Sequence, residues 1–164
     1  MSKVLSITLY MSELIYDFQN KAFITGRSKG SDEEKPEFAS NIKASDDEED
    51  KNQAIRSIQG AYGQLLNVLS EMLYGETEAT SSNKLMEEMD IKINLHVPSN
   101  FVMGIKDSIT SSIHAYIINK ALTDWFLMTN KGDAEEYDKL ASIALNTLRS
   151  SLYKRERPTR KNIE

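Results

Sequence analysis

PSNFVMGIKDSITSSIHAYIINKALTDWFLMTN, residues 98–130, decides the fold, because it reads as one long helix carrying most of the chain's large apolar mass. Pro98 interrupts whatever precedes it, and Ser99 or Asn100 can cap the first turn by accepting a hydrogen bond from an amide that the helix leaves unpaired. Val102, Ile105, Ile109, Ile113 and Tyr116 follow three or four residues apart and share one stripe. Beyond Tyr116 the stripe widens to Ile117, Ile118, Ala121, Leu122, Trp125, Phe126 and Leu127. These residues cover more than one face, which predicts a central helix with neighbours on several sides. Trp125 and Phe126 read as core residues at this spacing, with contact between one face of the wide stripe and a neighbouring subunit as the alternative.

Downstream of this helix, Asn130, Lys131 and Gly132 read as a turn, with Asp133 as the next cap and Glu136 completing a capping box. Tyr137, Leu140, Ala141, Ala144, Leu148 and Leu152 supply the apolar face of a last helix. The short turn packs it antiparallel to the central helix, and Pro158 closes it. Upstream, residues 89–97 alternate as a strand, with Ile91, Ile93, Leu95 and Val97 on one side and Lys92, Asn94 and His96 on the other. A lone strand needs a partner, and the extended piece around residues 38–44 is the candidate for a small antiparallel ribbon.

Before that strand, residues 74–84 are rich in Gly, Glu, Thr and Ser and read as a loop. Ser45, Asp46, Asp47 and Glu48 form an S-x-x-E capping box that starts a helix running to about Leu73. Its Ile55, Ile58, Tyr62, Leu65, Leu69 and Met72 make a heptad seam. Such a seam serves a coiled-coil dimer or an antiparallel bundle, and its shortness favours packing within one chain. Gly60 and Gly63 each cost about 1 kcal/mol relative to alanine inside a helix, so close approach of a neighbouring backbone is expected to offset them. A first helix is expected over residues 6–25, with Ile7, Tyr10, Met11, Leu14, Ile15, Phe18 and Ala22 on its apolar face. Gly26 stops it. Arg27 and Lys29 sit at its negative end, and residues 28–44 form a polar loop.

The whole is therefore mainly α: a four-helix bundle-like domain with a small two-stranded β ribbon. The single helical domain spans residues 1–157, and a flexible basic tail spans 158–164. At 164 residues the chain is long enough for one real core, and 40% hydrophobic with 27% charged residues is globular composition. There is no cysteine, hence no disulfide framework, thiolate zinc site or cysteine nucleophile. The formal net charge of −5 gives no global attraction to nucleic acid or to an anionic membrane. The N-terminal residues lack an apolar leader and no run is long enough to span a bilayer, so a cytoplasmic product is expected.

Little in the sequence points to chemistry. Asp46, Asp47, Glu48, Glu49 and Asp50 lack the alternating ligands and glycine of a calcium loop and suit a helix N-terminus better. His96 and His114 have no partner at a metal-ligand spacing, and His114, near the apolar stripe, reads as a hydrogen-bonded structural histidine. Phosphate loops, nucleophile elbows and dinucleotide fingerprints are absent from the sequence. No catalytic residue, cofactor, metal or small-molecule substrate is assigned. The basic end, comprising Arg149, Lys154, Arg155, Arg157, Arg160 and Lys161, is a candidate contact site. Cations suit a helix C-terminus and a solvated tail, while the same cluster could hold an acidic partner surface or the phosphates of DNA.

Several stretches, DFQNKAFITGRSK, ASDDEEDKNQAIRSI, LHVPSNF, IHAYIINKALTDWF and SLYKRERPTR, resemble small helical head and tail structural proteins of tailed bacteriophages and prophages of gut bacteria. That resemblance implies a non-enzymatic virion assembly protein, a head-tail connector or completion protein. It would act through contacts with other phage structural proteins or with copies of itself in an oligomer, and would be found in the virion once assembled. The contact regions expected are residues 28–44 and the basic end. A helical protein-binding adaptor or regulatory module is the alternative, followed by a non-specific DNA-binding accessory protein that uses the basic end.

Overall fold

The computed structural model describes residues 2–29, 44, 47–75, 80–86 and 89–159. The chain opens with strand β1 (Lys3–Leu9), followed by helices α1 (Met11–Lys29) and α2 (Glu48–Val68), and a 3-10 turn at Ser70–Met72. Strand β2 (Ile91–Val97), a second 3-10 turn at Met103–Ile105, and helices α3 (Lys106–Thr129) and α4 (Lys131–Leu152) complete it. The architecture is mainly helical with one two-stranded antiparallel ribbon, as the sequence predicts.

The ribbon is built from other residues than expected. Its second strand is β1, with Lys3 opposite Val97 and Leu9 opposite Ile91. The proposed partner around residues 38–44 lies outside the described residues apart from Ala44, which is buried. Leu5, Ile7 and Leu9 point inward and their neighbours outward, matching the buried Ile91, Ile93, Leu95 and Val97 opposite. On the other edge of β2, Leu73 bridges to Leu95, and the Tyr74 amide donates to the Asn94 carbonyl at 2.9 Å.

The first helix consequently starts at Met11, not Ser6, and Tyr10 is exposed at its threshold. The Tyr10 carbonyl accepts from the Glu13 and Leu14 amides and so opens the first turn. Gly26 does not stop this helix; it is buried within it, and the helix continues through Ser28 to Lys29. Met11, Leu14, Ile15, Phe18 and Ala22 are buried as expected. Residues 30–43 of the predicted polar loop lie outside the described residues.

In α2 the heptad seam is satisfied within the chain: Ile55, Ile58, Leu65 and Leu69 are buried. The α-helix stops at Val68, and Met72 reaches the core from the following 3-10 turn. Glu48 opens the helix behind Asp47, and Ser45 of the capping box lies outside the described residues. Side chains of α2 hold the segment that follows: Arg56 Nη1 donates to the Asn83 carbonyl at 2.9 Å, and Gln59 Nε2 donates to the Lys84 carbonyl at 3.2 Å.

The central helix begins eight residues later than the sequence suggests. Pro98, Ser99 and Asn100 form a turn, Ser99 and Asn100 cap nothing, and a 3-10 turn intervenes before Lys106. From Ile109 to Phe126 the apolar residues are buried, Ala115 only partly, and α3 touches α1, α2, α4 and β1, which is what its wide stripe demands. Trp125 meets Phe18 edge-on, with ring centroids 5.8 Å apart, and Phe126 stacks on Tyr137 at 5.2 Å. Leu127, counted in the stripe, is exposed together with Met128.

A single residue, Asn130, joins α3 to α4. Its side-chain oxygen accepts from the Gly132 amide, so the cap is Asn130, not Asp133, and the capping box with Glu136 does not form. Lys120 reaches Asp138 near this junction, while at the far end the Glu156 amide donates to the Asn100 carbonyl at 2.7 Å and Arg155 bridges to Phe101. The two helices are therefore antiparallel, as predicted. Helix α4 ends at Leu152, six residues before Pro158, and Leu140 on its predicted apolar face is exposed. The buried apolar side chains of both strands and all four helices form one continuous cluster.

Candidate functional site

The basic end is assembled where α4 returns to the start of α3. Arg155 is partly engaged within the chain: its Nη1 donates to the Leu152 and Lys154 carbonyls at 2.8 and 3.0 Å. Those carbonyls belong to the helix end, where acceptors go unpaired, so the guanidinium closes α4. Its charge also lies 6.0 Å from the centre of the Tyr153 ring. Arg149, Lys154 and Arg157 are exposed around it. Arg160 and Lys161 lie outside the described residues. Of the predicted cluster, the structure thus places three cations on the surface and gives one a structural role.

A second region escaped the sequence reading. Ser57, Gly60, Ala61 and Gln64 of α2 face Lys120, Thr123, Asp124 and Leu127 of α3 across a groove of about 280 Å³. Both sets follow the spacing i, i+3, i+4, i+7, so each is one stripe of its helix. The Ser57 hydroxyl is buried and donates to Asp124 Oδ2 at 2.6 Å, and Gln53 Nε2 donates in turn to Ser57 Oγ at 3.4 Å. Lys120 is drawn to the side by Asp138 at 2.7 Å. Asp124 has no ion-pair partner among the described residues. Individually these residues look like ordinary helix-surface positions, and only the pairing of α2 with α3 brings them together.

Gly60 and Gly63 do not serve the close helix approach expected of them. A Cβ built on either would have no atom within 4 Å, and both glycines are exposed. No described neighbour comes near enough to need the missing side chain.

The remaining ionisable groups are held in structural pairs. His114 Nε2 lies 3.1 Å from Asp17 Oδ2, the hydrogen-bonded role expected for it, and Lys21 approaches the same carboxylate at 3.5 Å. His96 stacks on Tyr74, 4.7 Å between centroids. Where α1 ends beside α4, Lys29 pairs with Asp133 at 2.8 Å, and Tyr137 shares a 2.8 Å hydrogen bond with Thr25. Burial raises the Tyr137 phenol above its ordinary value of 10.0, against the opposing influence of that hydrogen bond. Among the described residues no group of three or more acidic or histidine side chains is placed to hold a metal ion, and no helix is long and apolar enough to cross a membrane.

Large apolar side chains remain outside the core. Tyr16, Phe23 and Ile24 on α1, and Leu140 and Ile143 on α4, are each between 45% and 67% exposed. No family model matches this chain, and neither a curated protein nor a solved structure does.

Proposed function

We propose that the protein is a non-enzymatic assembly part of a tailed-phage or prophage virion, a head-tail connector or completion protein that works by binding other structural proteins or further copies of itself. The observation that carries this reading is the apolar exterior of two helices whose opposite faces already build the core. Tyr16, Phe23 and Ile24 on α1, and Leu140 and Ile143 on α4, are exposed apolar side chains of the kind that a protein partner covers. The sequence stretches that resemble phage head and tail proteins give this surface its setting. Three cations at the basic end are exposed as well. The adaptor reading draws on the same surfaces. The DNA-binding reading is weakened because the Arg155 guanidinium is engaged with helix-end carbonyls.

The test is removal of the gene from a producing strain. On this reading particles from the parent strain contain the chain, and its loss leaves heads and tails unjoined in electron micrographs. Intact, infectious particles made without the chain would overturn the assignment.

A further inference from the structure

We propose that the groove between α2 and α3 receives a guanidinium group, the side chain of an arginine presented by another protein. This inference rests on the protein-contact reading above and gives one contact its chemistry.

Asp124 is the anchor. Its Oδ2 accepts from the buried Ser57 hydroxyl at 2.6 Å, which fixes the carboxylate while leaving Oδ1 and a further lone pair for an incoming donor. Lys120 lines the same groove but lies 2.7 Å from Asp138, so the three charges together leave one negative charge uncompensated. A cation is the complement to that site. A single carboxylate offers too few oxygen ligands for a divalent metal ion, whereas the planar fork of a guanidinium matches one carboxylate with two parallel hydrogen bonds.

The walls suit the rest of an arginine side chain. Gly60 leaves open space above the groove, and exposed Leu127 gives the methylene stem an apolar shelf. The Gln64 carboxamide supplies a further acceptor at the rim. An internal glycine weakens a helix, and nothing among the described residues occupies the room that Gly60 leaves. A ligand approaching from outside gives that room a use.

The full chain, labelled with 15N, is titrated with N-acetyl-arginine amide and followed through its amide resonances. Saturable shifts are expected at Gly60, Ala61, Gln64 and Asp124, with the neutral N-acetyl-citrulline amide binding at least about tenfold more weakly. Asp124→Asn keeps the Ser57 hydrogen bond and removes the response. Gly60→Leu blocks the groove from the other wall while leaving the helix folded, as circular dichroism would record. Equal responses to the charged and neutral probes, an unchanged response in either folded variant, or no saturable shift in the parent chain overturns the proposal. Arginine binding in a chain that particles do not need would overturn the virion assignment and leave the groove standing; the reverse pair of results would do the opposite.

Discussion

Gly63 occupies an exposed position on α2 with nothing near the place its side chain would take. Gly63→Ala should therefore raise stability by about 1 kcal/mol, measured as a shift in the denaturant midpoint at constant m-value. Tyr137 gives a test that depends on pH. Its folded pKa is raised by burial above the ordinary 10.0, so the unfolded phenol loses its proton first. The associated stability is complete below pH 10 and disappears as the pH climbs through the folded value. Tyr137→Phe loses the Thr25 hydrogen bond, at about 0.5–1.5 kcal/mol, and does not titrate. The stability gap between parent and variant, from urea titrations, should narrow above pH 10. Residue roles of this kind were only partly legible in the sequence. His114 sat beside the apolar stripe and could be assigned a structural hydrogen bond, but Asp17, its partner, is 97 positions away. The glycines of α2 carried a known intrinsic cost, yet what lies beside them depends on packing that spacing does not encode.

At the level of elements, long periodic stretches are legible in the sequence and their boundaries are not. Helices α2, α3 and α4 have enough turns for a 3.6-residue period to be unambiguous. The N-terminal strand fails that criterion: Leu5, Ile7 and Leu9 alternate, but Ile7, Tyr10, Met11 and Leu14 also satisfy helical spacing, so the last four residues of the strand, from Ser6 to Leu9, read as the start of the helix behind them. With β1 hidden in a helical pattern, the segment around residues 38–44, nearer to β2 in sequence, is the remaining candidate partner. Misplaced caps have a similar origin, because Asn130 and Asp133 are both good N-cap residues and only the chain's path decides between them. The Asn130 side chain accepts from Gly132 and donates to Asp133 at 2.5 Å. Asn130→Ala should cost about 1 kcal/mol by thermal denaturation, whereas Glu136→Ala, at a position outside the cap, should leave the midpoint nearly unchanged.

For the whole molecule, one core links the ribbon to all four helices, and Phe18 lies within it against Trp125. Phe18→Ala should cost about 3–5 kcal/mol. Fluorescence of the sole tryptophan and far-ultraviolet dichroism should still report coincident transitions, because among the described residues no apolar cluster stands apart to melt separately. Cooperative architecture was legible from the hydrophobic stripes, since each helix has a face that must be covered. The groove was not: it exists only because two stripes from chain segments some sixty residues apart come to face one another.

The tie between Glu156 and Asn100 has a mechanical meaning. Only Pro98 and Ser99 separate Asn100 from the end of Ile91–Val97, at most about 11 Å of extended chain, so a tug on the carboxyl-terminal side of Arg157 is shared between two anchors. Part of the load runs up the last helix, and part crosses directly to the sheet. A cable fixed at two points holds its heading when pulled from the side, and a docking arm mounted there would keep its aim.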